Sequence, residues 1–178
     1  MAVHCVSKGF LFFVACRKRQ PYNRLLLNDL MIGQVMEIAH GSREYERECV
    51  LRNELLRAPL GLSLYDEDLT AESAYRHFGI FCSTSSECLA SLVAIPEGDG
   101  LFKVKQMAVR EDQQKQGLGA RLLSEAEARL AKLGARQIYL HARESAIGFY
   151  SKSGYEVVGH RFEEVTIPHF KMEKCLNG

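Results

Sequence analysis

The residues whose spacing carries the most chemistry lie at Val109–Ala120, VREDQQKQGLGA. There a strand-like stretch runs through Gln114-Lys115-Gln116-Gly117-Leu118-Gly119 into a segment of helical periodicity. Glycines at such a junction let backbone approach a ligand closely, and successive amide N–H groups with a helix N-terminus hold an anion. Residue types separate the known phosphate loops. A nucleoside-triphosphate loop needs Lys-Ser/Thr after its second glycine, and Ala120-Arg121 supplies neither. A dinucleotide loop needs GxGxxG, and the third position after Gly119 is Leu122. The pattern that fits is [Arg/Gln]-x-x-Gly-x-[Gly/Ala], met by Gln114, Gly117 and Gly119. It describes a main-chain cradle for a pyrophosphate, in which Lys115 is the one charged side chain. Alone, such a match is also ordinary turn chemistry.

The elements that must position this loop follow from periodicity. Gln34–His40 reads as a strand, and Ser42 as the N-cap of a helix with Tyr45, Cys49, Arg52 and Leu56 at helical spacing, stopped at Pro59-Leu60-Gly61. An acidic turn, Tyr65–Asp68, precedes strand Tyr75–Cys82, with Phe78, Ile80 and Cys82 on one face and His77 on the other. Cys88–Ile95 and Leu101–Val109 are strands separated by the turn PEGDG. Leu118, Leu122, Ala126, Leu130 and Leu133 form the apolar stripe of a helix ended by Gly134. A strand at 137–141, a short helix at 145–151 closed by Gly154, and strands at 155–162 and 166–174 complete a β-α-β-β-β-α-β-α-β-β order. That order predicts an α+β fold, a mixed and mostly antiparallel sheet flanked by helices.

Composition bounds the function. With 23 basic and 22 acidic side chains in 178 residues, the chain lacks the basic excess of a nonspecific nucleic-acid binder. Six cysteines without a CxxC pair or a Cys/His cluster argue against a zinc site, so no metal is expected, and they suit a reduced, cytoplasmic chain. Residues 1–33 hold five cations against Asp29, a surplus of four, which leaves the other 145 residues three negative. The apolar run 9–16 is too short to span a membrane, and no signal-cleavage site follows it. Residues 1–33 are therefore expected to be an N-terminal extension, disordered or not native, with translation starting at Met31; residues 34–178 are the working domain.

A second pattern joins the loop about thirty residues on: Ala146-Ile147-Gly148-Phe149-Tyr150-Ser151-Lys152-Ser153-Gly154-Tyr155. Strand, [Arg/Gln]xxGxG loop and helix, followed by a strand and A-x-x-F/L-Y-x-x-x-G-F/Y, resemble the GNAT superfamily of N-acetyltransferases across residues 34–174. A narrower likeness to the ElaA-like branch is carried by Leu140–Arg143, Phe149-Tyr150 and Ile167–Met172. Departures are Thr166 where that branch has Gly, Leu56-Arg57-Ala58 for its Val-Glu-Gln, and Arg143 for the superfamily's frequent Asn.

The resemblance implies acetyl-CoA as cosubstrate and direct transfer to a primary amine in a ternary complex, with no membrane or nucleic-acid partner and a homodimer by family habit. It implies that the backbone of Met107, Ala108 and Val109 pairs with the pantetheine arm. Gln114, Lys115, Gln116, Gly117, Leu118, Gly119 and Ala120 would hold the pyrophosphate, and Ala146 and Phe149 would complete the cofactor site. Tyr150 is the expected general acid for the leaving thiolate. His77 and His169, with His141 as a further candidate, have the side-chain type suited to deprotonating the amine. Glu163 and Glu164 read as a solvated acidic turn, the alternative being a contact for a cationic acceptor. The competing reading is a catalytically silent acyl-CoA-binding module.

Overall fold

Alternation along the central strands decides which residues enter the core and which are left to line a site. In the computed structural model, which describes residues 32–176, Ile138, Leu140 and Ala142 are at most 1% exposed, and Tyr139, His141 and Arg143 take the other face of the same strand. The elements are β1 (Ile32–Ile38), α1 (Arg43–Leu56), β2 (Arg76–Cys82), β3 (Cys88–Pro96), β4 (Leu101–Val109), α2 (Leu118–Lys132), β5 (Gln137–Arg143), α3 (Ile147–Lys152), β6 (Glu156–Glu164) and β7 (Ile167–Cys175). This is the expected order. Strand β1 begins two residues earlier than the sequence suggests, and the expected helix at 145–151 divides into a 3-10 turn, Glu144–Ala146, and α3. The extension expected over 1–33 lies, apart from its last two residues, outside the described residues, as does Met31.

The strands form one sheet in the order β1-β2-β3-β4-β5-β7-β6. Every neighbouring pair is antiparallel except β4 with β5. One face packs on α2, whose Leu118, Leu122, Leu123, Ala126 and Leu130 meet Phe102, Val104, Ile138, Leu140 and Met172. Burial of each such leucine contributes about 1.5–3 kcal/mol, so this stripe anchors the helix that follows the glycine loop. Helix α1 packs on the opposite face, over β3 and β4. Ser42 caps it as the sequence indicates, its hydroxyl accepting from Tyr45 N–H at 3.1 Å.

Beneath α1 lies a buried polar network. Arg52, fully buried, donates to both Glu72 oxygens at 2.6 and 2.9 Å, and the Tyr45 hydroxyl donates to the same carboxylate at 2.7 Å. His77 Nδ1 sits 2.9 Å from Glu48, and its Nε2 lies 3.2 Å from the Glu72 carbonyl. Three short 3-10 turns follow α1, Ala58–Leu60, Leu64–Asp66 and Thr70–Ala74, and the network ties α1 to the last of them through Glu72 and to β2 through His77.

Two irregularities open the sheet at its middle. The parallel ladder joins only Leu101–Val104 to Gln137–Leu140; beyond it β4 stays with β3 and β5 stays with β7, so the two strands part. Within β4, Lys105 pairs with Val93 and Ala108 with Ser91, which sets Gln106 and Met107 against the single residue Leu92. Gln106 takes a left-handed backbone, φ +51°. A bulge of this kind shifts the alternation and re-aims the residues after it.

Candidate active site

The parted strands enclose a cavity of about 390 Å³. Its walls come from β4 (Lys103 to Met107), from β5 and the turn after it (Leu140, His141, Arg143, Ala146), from Tyr150 of α3, from the β6–β7 corner (Glu164, Val165, Ile167, His169) and from the segment after α1 (Leu56, Arg57, Leu60, Glu67). Of the expected site residues, Met107, Ala146, Tyr150 and His169 line it; Ala108, Val109, Gln114–Ala120 and Phe149 do not. They adjoin it through Gly119. A methyl group added at Gly119 would sit 3.2 Å from Met107 Cε, 3.3 Å from Val109 Cγ2 and 3.5 Å from Phe149 Cζ. The glycine thus lets loop, strand and helix close on one another.

The loop leaves its backbone amides open. Gly117, φ +82°, is the N-cap of α2, and no side chain caps the helix. The first helical bond runs from Arg121 N–H to the Gly117 carbonyl, so the amides of Leu118, Gly119 and Ala120 precede the ladder. No acidic residue sits in that first turn to occupy them. Lys115 is also left-handed, φ +59°. The glutamines brace the loop: Gln114 Nε2 donates to the Val109 carbonyl at 3.0 Å, and Gln116 Nε2 to the Asp112 carbonyl at 2.8 Å. Arg110 N–H bonds Leu89 O of β3, so by strand alternation Val109 turns its polar groups to the open edge.

Tyr150 reaches across the cavity mouth, its hydroxyl 3.6 Å from Met107 Sδ. Burial pushes its pKa up to about 12, against the opposing influence of Arg143. His169 is 8% exposed; its Nδ1–H donates to the Ile167 carbonyl at 2.8 Å, which fixes the tautomer with a lone pair on Nε2. His141 is similarly held, Nδ1–H to Glu164 at 2.6 Å, and the Phe162 ring lies between the two histidines. Partial burial would raise the Glu164 carboxyl, but the His141 hydrogen bond and charge outweigh it and keep it below its ordinary value.

His77 is corrected by this geometry. It is fully buried under α1, it does not line the cavity, and both its ring nitrogens are engaged within the network, so neither is turned to a substrate. Glu163 and Glu164 are exposed, as a solvated turn requires, and Glu164 in addition partners His141 at the cavity wall. Lys103 and Lys105 also line the cavity, and the signal for them is their alternation with buried Phe102 and Val104, which puts both on one face of β4. At the corner, Val165 and Thr166 both adopt positive φ, +50° and +61°. A β-branched pair there is strained, and Val165 faces the cavity. Among the described residues no group of His, Cys, Asp or Glu is placed to hold a metal, and no helix is long and apolar enough to cross a membrane.

Comparison with known proteins gives a consistent result. A family model described as an acetyltransferase (GNAT) domain matches residues 61–176. The uncharacterized N-acetyltransferase YitI of Bacillus subtilis is 30% identical over 119 residues, 63% of this chain and 77% of YitI. In its matches to two further curated relatives from that organism the chain spans about half their length. Among solved structures, Escherichia coli ElaA superposes with a TM-score of 0.67 at 19% identity, covering 81% of this chain and 99% of that one. An aminoglycoside 6'-N-acetyltransferase complexed with coenzyme A gives 0.65 at 17% identity, covering 79% and 96%.

Proposed function

We infer from one premise, that the chain belongs to the GNAT acetyltransferase family, that it is an acetyl-CoA-dependent N-acetyltransferase working by direct transfer to an amine in a ternary complex. The observation that carries this reading is the convergence on one cavity of an uncapped loop–helix cradle, an open β4 edge, the Tyr150 hydroxyl and a histidine with a free Nε2. Acetyl-CoA supplies the activated acetyl group as a thioester. The amides of Leu118, Gly119 and Ala120 suit its pyrophosphate, and the edge of β4 at Met107–Val109 suits its pantetheine arm as an added strand. An amide of that edge polarises the thioester carbonyl, a contribution of about 3 kcal/mol.

His169 Nε2 takes the proton from the acceptor amine, its orientation held by the Ile167 carbonyl. Tyr150 serves the leaving sulfur. A phenol near 12 stays protonated at working pH. Complete transfer to a thiolate of pKa about 8.5 would be uphill by about 5 kcal/mol, so the hydroxyl acts by hydrogen bonding to the charge as it builds. His169→Gln is expected to lower kcat about 100-fold, with partial rescue by added imidazole; a variant at full rate would remove this residue from the proton path.

The loop makes its own prediction. Gly119→Val presses on Met107, Val109 and Phe149 and is expected to weaken coenzyme A binding at least tenfold by calorimetry, with the far-ultraviolet circular dichroism unchanged. Initial velocities test the mechanism: lines that intersect when acetyl-CoA and amine are varied together support the ternary complex, and parallel lines would point to an acetyl-enzyme instead.

A further inference from the structure

The charges of the cavity do not balance. Both of its carboxylates are engaged, Glu67 by Arg57 and Glu164 by His141. Three of its cations, Lys103, Lys105 and Arg143, have no carboxylate within ion-pair distance among the described residues. Lys103 and Lys105 lie on one face of β4, each over an aromatic ring: Lys103 Nζ is 5.7 Å from the centre of Tyr139 and Lys105 Nζ 5.0 Å from that of Tyr75. These lysines are half-buried in the cavity wall. The pyrophosphate cradle does not use them, since Val109 is already roughly 13 Å along the strand from Lys105 and the loop lies beyond it. They face the part of the cavity left to the acceptor, with His169 on the β7 side.

We propose that the acceptor is a small amine bearing a carboxylate, an amino-acid-type molecule whose acid group is held by Lys103 and Lys105 while its amine is turned toward His169. This rests on the transferase reading above. The cavity is at the small end of ligand pockets and must also admit the thioester, which suits an acceptor of that size. Burial pushes the Lys105 ammonium pKa down, the direction expected of a cation awaiting a counter-ion, and a bound carboxylate would draw it back up.

The test is calorimetric binding of the L-amino acids and of their carboxamides to the full chain loaded with coenzyme A, which as a free thiol permits no turnover. At least one acid is expected to bind tenfold or more tightly than its carboxamide. Lys105→Gln and, independently, Lys103→Gln should shrink that ratio to about twofold with coenzyme A affinity unchanged. Acids and carboxamides binding alike, or no member of the panel binding, would overturn the proposal, as would a preference for O-phosphoethanolamine over every acid. Because binding is read without chemistry, failures separate. An acid preference without acceptor-dependent thiol release upholds the subsite and counts against transfer; equal turnover of acids and carboxamides upholds transfer and overturns the subsite.

Discussion

Tyr150→Phe is expected to lower kcat by about 10²–10³-fold while coenzyme A affinity and melting temperature hardly move. The rate loss is the range for removing one preorganised hydrogen-bond donor from charge that builds in a transition state. The small structural cost follows from the hydroxyl's surroundings, where its protein contact is the Met107 sulfur at 3.6 Å, a weak acceptor. The ring, which packs against Phe149 and Tyr155, is retained in phenylalanine. Steady-state kinetics with calorimetry on the same sample separate the two effects. A variant that keeps its turnover number assigns Tyr150 to packing alone.

The other large effect concerns the frame of the acceptor side. Glu72→Ala leaves the buried Arg52 guanidinium with only the longer 3.7 Å contact to Glu48, and breaking a buried pair in this way costs about 3–5 kcal/mol. Total stability of a domain is about 5–15 kcal/mol, so denaturant unfolding should register a large shift in midpoint. The double variant Arg52→Met with Glu72→Leu is expected to lose less than Glu72→Ala, because the buried guanidinium leaves together with its carboxylate and Glu48 keeps His77 at 2.9 Å. The pair also sets an acid limit. Burial alone would raise the Glu72 carboxyl, but Arg52 and the Tyr45 hydroxyl outweigh it and hold its folded pKa below 4.5. A carboxyl depressed on folding stabilises fully above its unfolded value and loses that stabilisation as pH falls through the folded one. Wild type should therefore lose stability below about pH 4.5 more steeply than the double variant.

What the sequence disclosed and what it concealed divide along contact distance. The Ser42 cap, the αL Gly117, the crowded Gly119 and the apolar stripe of α2 are local requirements, written in residues a few positions apart, and each is legible. His77 was not, because its fate depends on Glu48, 29 residues away, and on the Glu72 carbonyl brought beside it by the turns after α1. The pairing of His141 with Glu164 spans 23 residues and exists because β7 inserts between β5 and β6, an exchange of order that alternation cannot reveal. The β4 bulge is similarly silent: Gln106 carries none of the glycine or asparagine signature of a left-handed residue. The chemistry of the coenzyme side is thus local and visible. That of the opposite wall is assembled from distant strands, which is why neither the burial of His77 nor the His141–Glu164 pair is legible locally.

The central claim is acetyl transfer from acetyl-CoA to an acceptor in this cavity. Its most direct measurement is thiol release from acetyl-CoA with and without an amine panel, followed by mass analysis of the amine. The account predicts release that requires an acceptor, one acetylated amine per thiol, and loss of both in Tyr150→Phe. Coenzyme A binding with no acceptor-dependent release across the panel would contradict it and make the chain an acyl-CoA-binding module.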